Sequence, residues 1–259
     1  MNTSEKKVLW NSNISRRTFI KAGIAGAATV GVISAAGYQG YEFFKTVDVK
    51  GRILIIGGGA AGCSMAARLS RRIEHPDITI VDPSDRQFYQ PGFTFIAAGI
   101  FKPDEVWRPQ KDYIPQGVKW VKDVVVALDP VKQVARTSQG ETLQYDFLVL
   151  CPGLQLNWDK VEGISQKTLG QGNAHCIYDF EGAQKFWPAM QELTTKGGRG
   201  VFTDTYTKHK CGGAPKKVCM LTEHMARKKG TRDSLRLDYF CSEKALYDVP
   251  YYTPRLLQI

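Results

Sequence analysis

Ile53-Leu54-Ile55-Ile56-Gly57-Gly58-Gly59-Ala60-Ala61-Gly62-Cys63 is the stretch that decides the fold. Four consecutive apolar residues read as a short parallel strand covered on both faces. The residues after them fit G-x-G-x-x-G at Gly57, Gly59 and Gly62, with Ala60 and Ala61 between. Residues 63–72 continue in helix formers, with Met65, Ala66, Ala67 and Leu69 apolar and Arg68, Arg71 and Arg72 on a charged face. A second apolar run, Ile78-Thr79-Ile80-Val81, ends at Asp82, 20 residues beyond Gly62. A glycine motif alone fits any α/β turn, but strand, glycines, helix, strand and terminal acid together read as a dinucleotide-binding βαβ unit. Side chains at Gly57 or Gly59 would keep a pyrophosphate from the main-chain amides at the helix N-terminus. Gly62 lets helix and strand pack closely, and Asp82 is placed to accept hydrogen bonds from ribose hydroxyls. These residues do not choose between FAD and NAD.

After Asp82 the chain does not run into a further βα unit. Pro83 to Gly117 reads as irregular, and Val118–Val121, Val124–Leu128, Gln133–Thr137 and Glu141–Gln144 read as short strands with turns between them. Tyr145 to Gly153 then returns as an apolar strand ending in glycine. A meander inserted between Rossmann strands resembles the two-dinucleotide flavoproteins, and the glycine turn resembles their second flavin contact, with Cys151-Pro152-Gly153 where Ala-Thr-Gly is usual. The expected fold class is α/β: a Rossmann-type FAD-binding domain with an inserted β-meander (50–158), then part of a second Rossmann-like domain (159–259). In the latter, Gly200–Thr203 reads as a strand, and Pro215 opens a helix with Val218, Leu221, Thr222 and Met225 on its apolar face. Cys211 therefore falls in a strand-to-helix loop beside Lys208, His209 and Lys210. Positive charge and the helix dipole both favour a thiolate there. Gly212-Gly213-Ala214-Pro215 does not fit the phosphate-binding fingerprint, so NADH is not the expected partner.

The segments Asp82-Pro83-Ser84-Asp85-Arg86-Gln87-Phe88-Tyr89-Gln90-Pro91-Gly92, Gly153 to Gly163 and Lys210-Cys211-Gly212-Gly213-Ala214-Pro215-Lys216-Lys217 are similar, in order, to the sulfide:quinone oxidoreductase family. The flavin subunit of flavocytochrome c sulfide dehydrogenase is the near neighbour. The resemblance implies FAD as cofactor, sulfide as donor, and quinone or a cytochrome c as acceptor, at or near a membrane surface. It implies that hydrosulfide attacks a sulfur of a cysteine pair and leaves a persulfide, while the other thiolate passes two electrons to FAD. By motif position Cys211 matches one of the two redox cysteines, Cys176 sits where some members carry a further cysteine, and Tyr89, Gln90, Pro91 and Gly153 fall at the flavin. Tyr89 to Pro91 equally suit a packing loop. The resemblance covers a little over half of a family chain, so both domains are expected to be incomplete.

Ser15-Arg16-Arg17-Thr18-Phe19-Ile20-Lys21, followed by the charge-free residues 22–36, resembles a twin-arginine export signal, with 37–49 as a linker. The expectation is a periplasmic protein, exported after loading its cofactor. Of the net charge of +10, +4 lies in those first 36 residues, and the mild remainder gives no footprint for nucleic acid. With 43% hydrophobic and 23% charged residues, a disordered, collagen-like or polytopic membrane chain is excluded. Six cysteines in 259 residues do not make a disulfide scaffold, and no His or Cys spacing suggests a metal site. Cys63, Cys151 and Cys219 read as small buried hydrophobes, and Cys241 gives no signal. Lys216, Lys217, Arg227, Lys228 and Lys229 read as a solvated helix face, and His209 either charges the Cys211 loop or is simply solvated.

Overall fold

A computed structural model describes residues 46–258 apart from 206, 208, 243, 244 and 248. The expected export signal and most of the expected linker lie outside the described residues. The chain divides into two units. In the first, residues 1–48 with 71–74, Val47 and Ile73 form an isolated parallel bridge. The second, residues 49–70 with 75–259, holds the strands and helices of the described residues, except Arg71 and Arg72 at the end of the first helix.

The apolar runs become the centre of a four-stranded parallel sheet. β1 (Arg52–Ile56) lies between β2 (Asp77–Val81) and β9 (Phe147–Leu150). Leu54, Ile55, Ile78, Ile80 and Val81 are buried, as expected of strands covered on both faces. Helix α1 (Ala60–Arg72) makes the crossover between β1 and β2. Between β2 and β9 the chain is more ordered than an irregular loop. A hairpin of β3 (Arg86–Phe88) and β4 (Trp107–Pro109) frames the short helix α2 (Gly92–Ala97). The hairpin carries a stack in which the Arg86 guanidinium lies 5.0 Å from the Phe88 ring and 5.4 Å from that of Phe180.

Val118–Val121 corrects the expected strand assignment, because it is not part of the meander. As β5 (Lys119–Val121) it pairs in parallel with β2 at the edge of the main sheet, giving the order β5-β2-β1-β9. Its Val121 joins Leu54 and Val81 in one core. The meander has three strands, β6 (Val125–Asp129), β7 (Val134–Thr137) and β8 (Thr142–Gln144), all antiparallel. Ala135, Leu143 and Tyr145 pack it against Leu54, Val81 and Val121.

The C-terminal part holds a second strand-helix-strand unit. Helix α3 (Phe180–Lys196) starts at Asp179, whose side chain accepts from the Gly182 N–H at 2.5 Å, and ends at Gly197 with φ +81°. β10 (Gly198–Thr203) pairs in parallel with β11 (Leu235–Phe240), joined through α4 (Ala214–Lys229). Ala97 and Ala98 at the end of α2, Ile177, Met190 of α3, and Ala214 and Val218 of α4 form one buried cluster. It seats the Tyr89–Gly92 turn and the cysteine loop on a common core. Gly99, at φ +67°, has no room for a β-carbon, which would sit 2.4 Å from the Trp187 ring. No helix among the described residues is long and apolar enough to cross a membrane.

Candidate functional site

Two clusters stand at the carboxyl ends of the parallel strands, where open α/β sheets bind ligands.

The first is the β1–α1 turn. Its glycines serve different ends. A β-carbon at Gly57, whose φ is +100°, would lie 2.1 Å from the Cys151 carbonyl oxygen, and one at Gly62 would lie 1.8 Å from the Gly57 carbonyl oxygen. The protein's own backbone therefore requires both. Gly59 is different: a β-carbon there meets nothing within 4 Å. Gly59, Ala60 and Ala61 are exposed at the N-terminus of α1. This open helix end is where main-chain amides and the helix dipole accept a phosphate.

Asp82 and the Cys151-Pro152-Gly153 segment stand against this turn. The Cys151 N–H donates to the Ile56 carbonyl at 2.7 Å, which sets Cys151-Pro152-Gly153 against Gly57, and Gly153 (φ +75°) opens on free space. Asp82 ends β2 and accepts from the Gly58 N–H at 2.6 Å and the Ser84 N–H at 2.8 Å, so its carboxylate is fixed at the rim of the turn. Tyr89, Gln90 and Pro91 are exposed and lead directly into α2.

Gln110 was not legible in the sequence. It is buried, and its amide donates to the Gly58 carbonyl at 2.6 Å. Cys63, whose Sγ also lies 3.0 Å from the Gly58 carbonyl, is the buried core thiol expected, and burial pushes its pKa up.

These observations fit an FAD. Gly59, Ala60 and Ala61 would hold the pyrophosphate and Asp82 the ribose.

The second cluster is the β10–α4 loop, residues 204–213. Cys211 lies in it as expected, exposed and free, three residues before α4. Its φ of +53° is left-handed, a conformation that costs a non-glycine residue about 1–2 kcal/mol. The Ala214 N–H donates to its carbonyl at 2.8 Å. His209 stacks edge-on against Tyr178 at 5.6 Å, and the Lys210 ammonium lies 5.9 Å from the same ring. Burial lowers the pKa of Lys210.

Cys176 is half-buried, and burial raises its pKa. The Tyr178 N–H lies 3.4 Å from the Cys176 Sγ, and the Tyr178 hydroxyl lies 3.4 Å from the Cys211 carbonyl oxygen. The two cysteines thus flank one tyrosine, and both are free thiols.

Lys216 corrects the expectation of a solvated helix face. Its ammonium forms an ion pair at 2.6 Å with Asp204, at the end of β10, with side-chain exposures of 11% and 5%. The Tyr239 hydroxyl donates to the other Asp204 oxygen at 2.6 Å, and the Cys241 thiol lies 3.5 Å from the first. Burial works to raise the Asp204 pKa, but the hydrogen bonds from Lys216 and Tyr239 outweigh it and hold the carboxyl below its ordinary value. Asp204, Lys216, His209, Gly212 and Cys241 line a cavity of about 150 Å³ under the loop. Lys229 remains exposed but donates to the hydroxyls of Thr194 and Thr195 at 2.9 and 2.8 Å. Among the described residues no cluster of three or more His, Cys, Asp or Glu side chains is placed to hold a metal ion.

Parallel sheet, inserted meander and open glycine turn define a dinucleotide-binding α/β oxidoreductase. Residues 51–186 match the pyridine nucleotide-disulphide oxidoreductase family, and the chain belongs to that family of FAD-binding flavoproteins. It is 35% identical over 224 residues to the mitochondrial sulfide:quinone oxidoreductase of Dictyostelium discoideum, covering 86% of this chain and 49% of that one. It is 34% identical to the mouse mitochondrial sulfide:quinone oxidoreductase, covering 80% of this chain and 45% of that one. The chain therefore spans about half the length of the curated relatives it matches. The crystal structure of the Aquifex aeolicus sulfide:quinone oxidoreductase shares the fold, with a TM-score of 0.63 at 24% identity over 76% of this chain and 44% of that one.

Proposed function

We propose that the chain oxidises sulfide in the manner of a sulfide:quinone oxidoreductase, with Cys211 as the redox thiol and Cys176 as its partner. The observation that carries this reading is the single exposed thiol at Cys211, held left-handed in the β10–α4 loop beside a helix N-terminus. The Dictyostelium and mouse relatives support the choice of sulfide and quinone. With Cys176 and Cys211 oxidised to a disulfide, hydrosulfide would attack one sulfur, break the S–S bond and form a persulfide, releasing the other sulfur as a thiolate. The helix N-terminus and Lys210 present positive potential to an approaching hydrosulfide. FAD, when bound, supplies a two-electron acceptor. The chain's own part is to hold the dinucleotide at Gly59–Ala61 and Asp82 and to present the thiols.

A quinone is the acceptor of first choice, because the β10–α4 loop lacks the glycines of a second pyridine-nucleotide site. A cytochrome c is the alternative acceptor. Export by the twin-arginine route, from Arg16 and Arg17, would place the reaction in the periplasm. The test is to purify the full chain with FAD and add sulfide without oxygen. Bleaching of the flavin that is lost in Cys211→Ser supports the reading. Bleaching that persists in Cys211→Ser removes Cys211 from the reaction, and a chain that retains FAD but is not bleached by sulfide rejects the function. Reoxidation by a soluble quinone or by cytochrome c then separates the two acceptors.

A further inference from the structure

We propose that Tyr178 and Lys216 form a two-sided clamp that holds the Cys211 turn in its left-handed conformation, with Tyr178 as a positioning residue for the thiol. This rests on the reading of Cys211 as the redox thiol. Two side-chain donors reach the loop's carbonyls. The Tyr178 hydroxyl lies 3.4 Å from the carbonyl oxygens of both Lys210 and Cys211. The Lys216 ammonium donates to the Gly212 carbonyl at 3.0 Å.

The two donors come from different elements. Tyr178 precedes α3 and stands next to Ile177 in the buried cluster shared with α2 and α4. Lys216 belongs to the first turn of α4 and is fixed by Asp204, which Tyr239 holds in turn. A left-handed residue other than glycine persists only where its surroundings over-determine it, and these contacts are the surroundings. The ring of Tyr178 adds a second layer, with Lys210 over its face and His209 against its edge. Cys211 itself stays exposed. The peptide N–H of Tyr178 also lies 3.4 Å from the Cys176 sulfur, so both cysteine segments meet at this residue.

The full-length chain is tested by amide deuterium uptake and by thiol alkylation with iodoacetamide. Tyr178→Phe removes only the hydroxyl and should speed uptake in residues 209–216 about threefold, the effect of about one net hydrogen bond. Tyr178→Leu also removes the ring contacts and should speed it about tenfold. Uptake across β1 and α1 should stay as in the unaltered chain. Both variants should change the rate of Cys211 alkylation at a fixed pH by about twofold or more. Lys216→Met risks misfolding by stranding Asp204, so the paired change Asp204→Asn with Lys216→Met tests the other side of the clamp. Lys216→Arg should retain the loop's protection. Unaltered uptake and an unaltered Cys211 alkylation rate in Tyr178→Leu and the paired variant would overturn the proposal. So would a loss of protection that spreads equally to β1 and α1. Neither readout uses sulfide or flavin, so failure of the clamp is distinguishable from failure of sulfide oxidation.

Discussion

Between β1 and α1, three residues separate strand from helix, and the turn relies on two glycines, Gly57 and Gly62, that the neighbouring backbone allows no substituent, while the helix end is left bare. Between β10 and α4, ten residues do the same job; they carry a left-handed cysteine, Asp204, which forms a buried ion pair with Lys216 of α4, and His209, which meets the Tyr178 ring edge-on. Both units are parallel strands bridged by a helix. The first is emptied of side chains so that a ligand's phosphates can reach the main chain. The second is filled, and the polar groups that a ligand might have satisfied are satisfied by Asp204, Lys216 and Tyr239 instead. On the proposed reading, one frame serves a cofactor at one loop and a thiol at the other, and the loop composition decides which.

The contrast can be broken most severely at the filled loop. Lys216→Met leaves Asp204 buried without its partner and should cost about 3–5 kcal/mol in urea unfolding. A loss below about 1 kcal/mol would show that the pair is solvated after all. The same pair sets a pH limit. Asp204 is held below its ordinary value, so its stabilisation is complete above about pH 4 and is lost as the pH falls through the depressed value. Asp204→Asn should flatten that acid limb, as followed by circular dichroism. At the emptied loop, Gly57→Ala drives a methyl into the Cys151 carbonyl and should cost about 2–3 kcal/mol, together with loss of bound flavin absorbance.

A smaller effect sharpens the cysteine side. Cys211→Gly should be more stable than Cys211→Ala by about 1 kcal/mol, the reverse of the order at an ordinary position, because only glycine takes φ +53° without strain. Equal midpoints in urea would mean that the turn is not left-handed in solution. The smallest effect on stability is the most informative about the first loop. Gly59→Ala should leave unfolding within about 0.5 kcal/mol, since nothing lies near, yet should weaken FAD binding measured by flavin fluorescence. If FAD affinity were unchanged, the pyrophosphate would not lie against residue 59.

How far the sequence could be read divides along the same line. The glycine turn was legible because its residues are local, ordered and each tied to one physical task. Gly57, Gly62 and Asp82 fall around one turn as their spacing implies, and the Cys151-Pro152-Gly153 segment joins them. Cys211 was also placed in its loop, because Pro215 and the apolar positions after it announce the helix. The features that escaped depend on distant partners. Val118–Val121 looks like any short strand, and only pairing with β2 draws it from the meander into the main sheet. Lys216 sits among basic residues and looked solvated until Asp204, 12 positions earlier, turned out to face it. Tyr178 and Gln110 carry no motif, since their roles exist only through carbonyls 32 and 52 residues away. Buried polar partners of this kind are fixed by tertiary proximity, which no local pattern encodes.

The hydrogen bonds that Asp82 and Gln110 make to the two sides of Gly58 have a consequence for how the chain is loaded. They hold the turn in shape from within the polypeptide, so an incoming dinucleotide meets a finished socket and little chain entropy is lost on its arrival. Loading should then be governed by diffusion and electrostatics, and not by a slow refolding of the receptor.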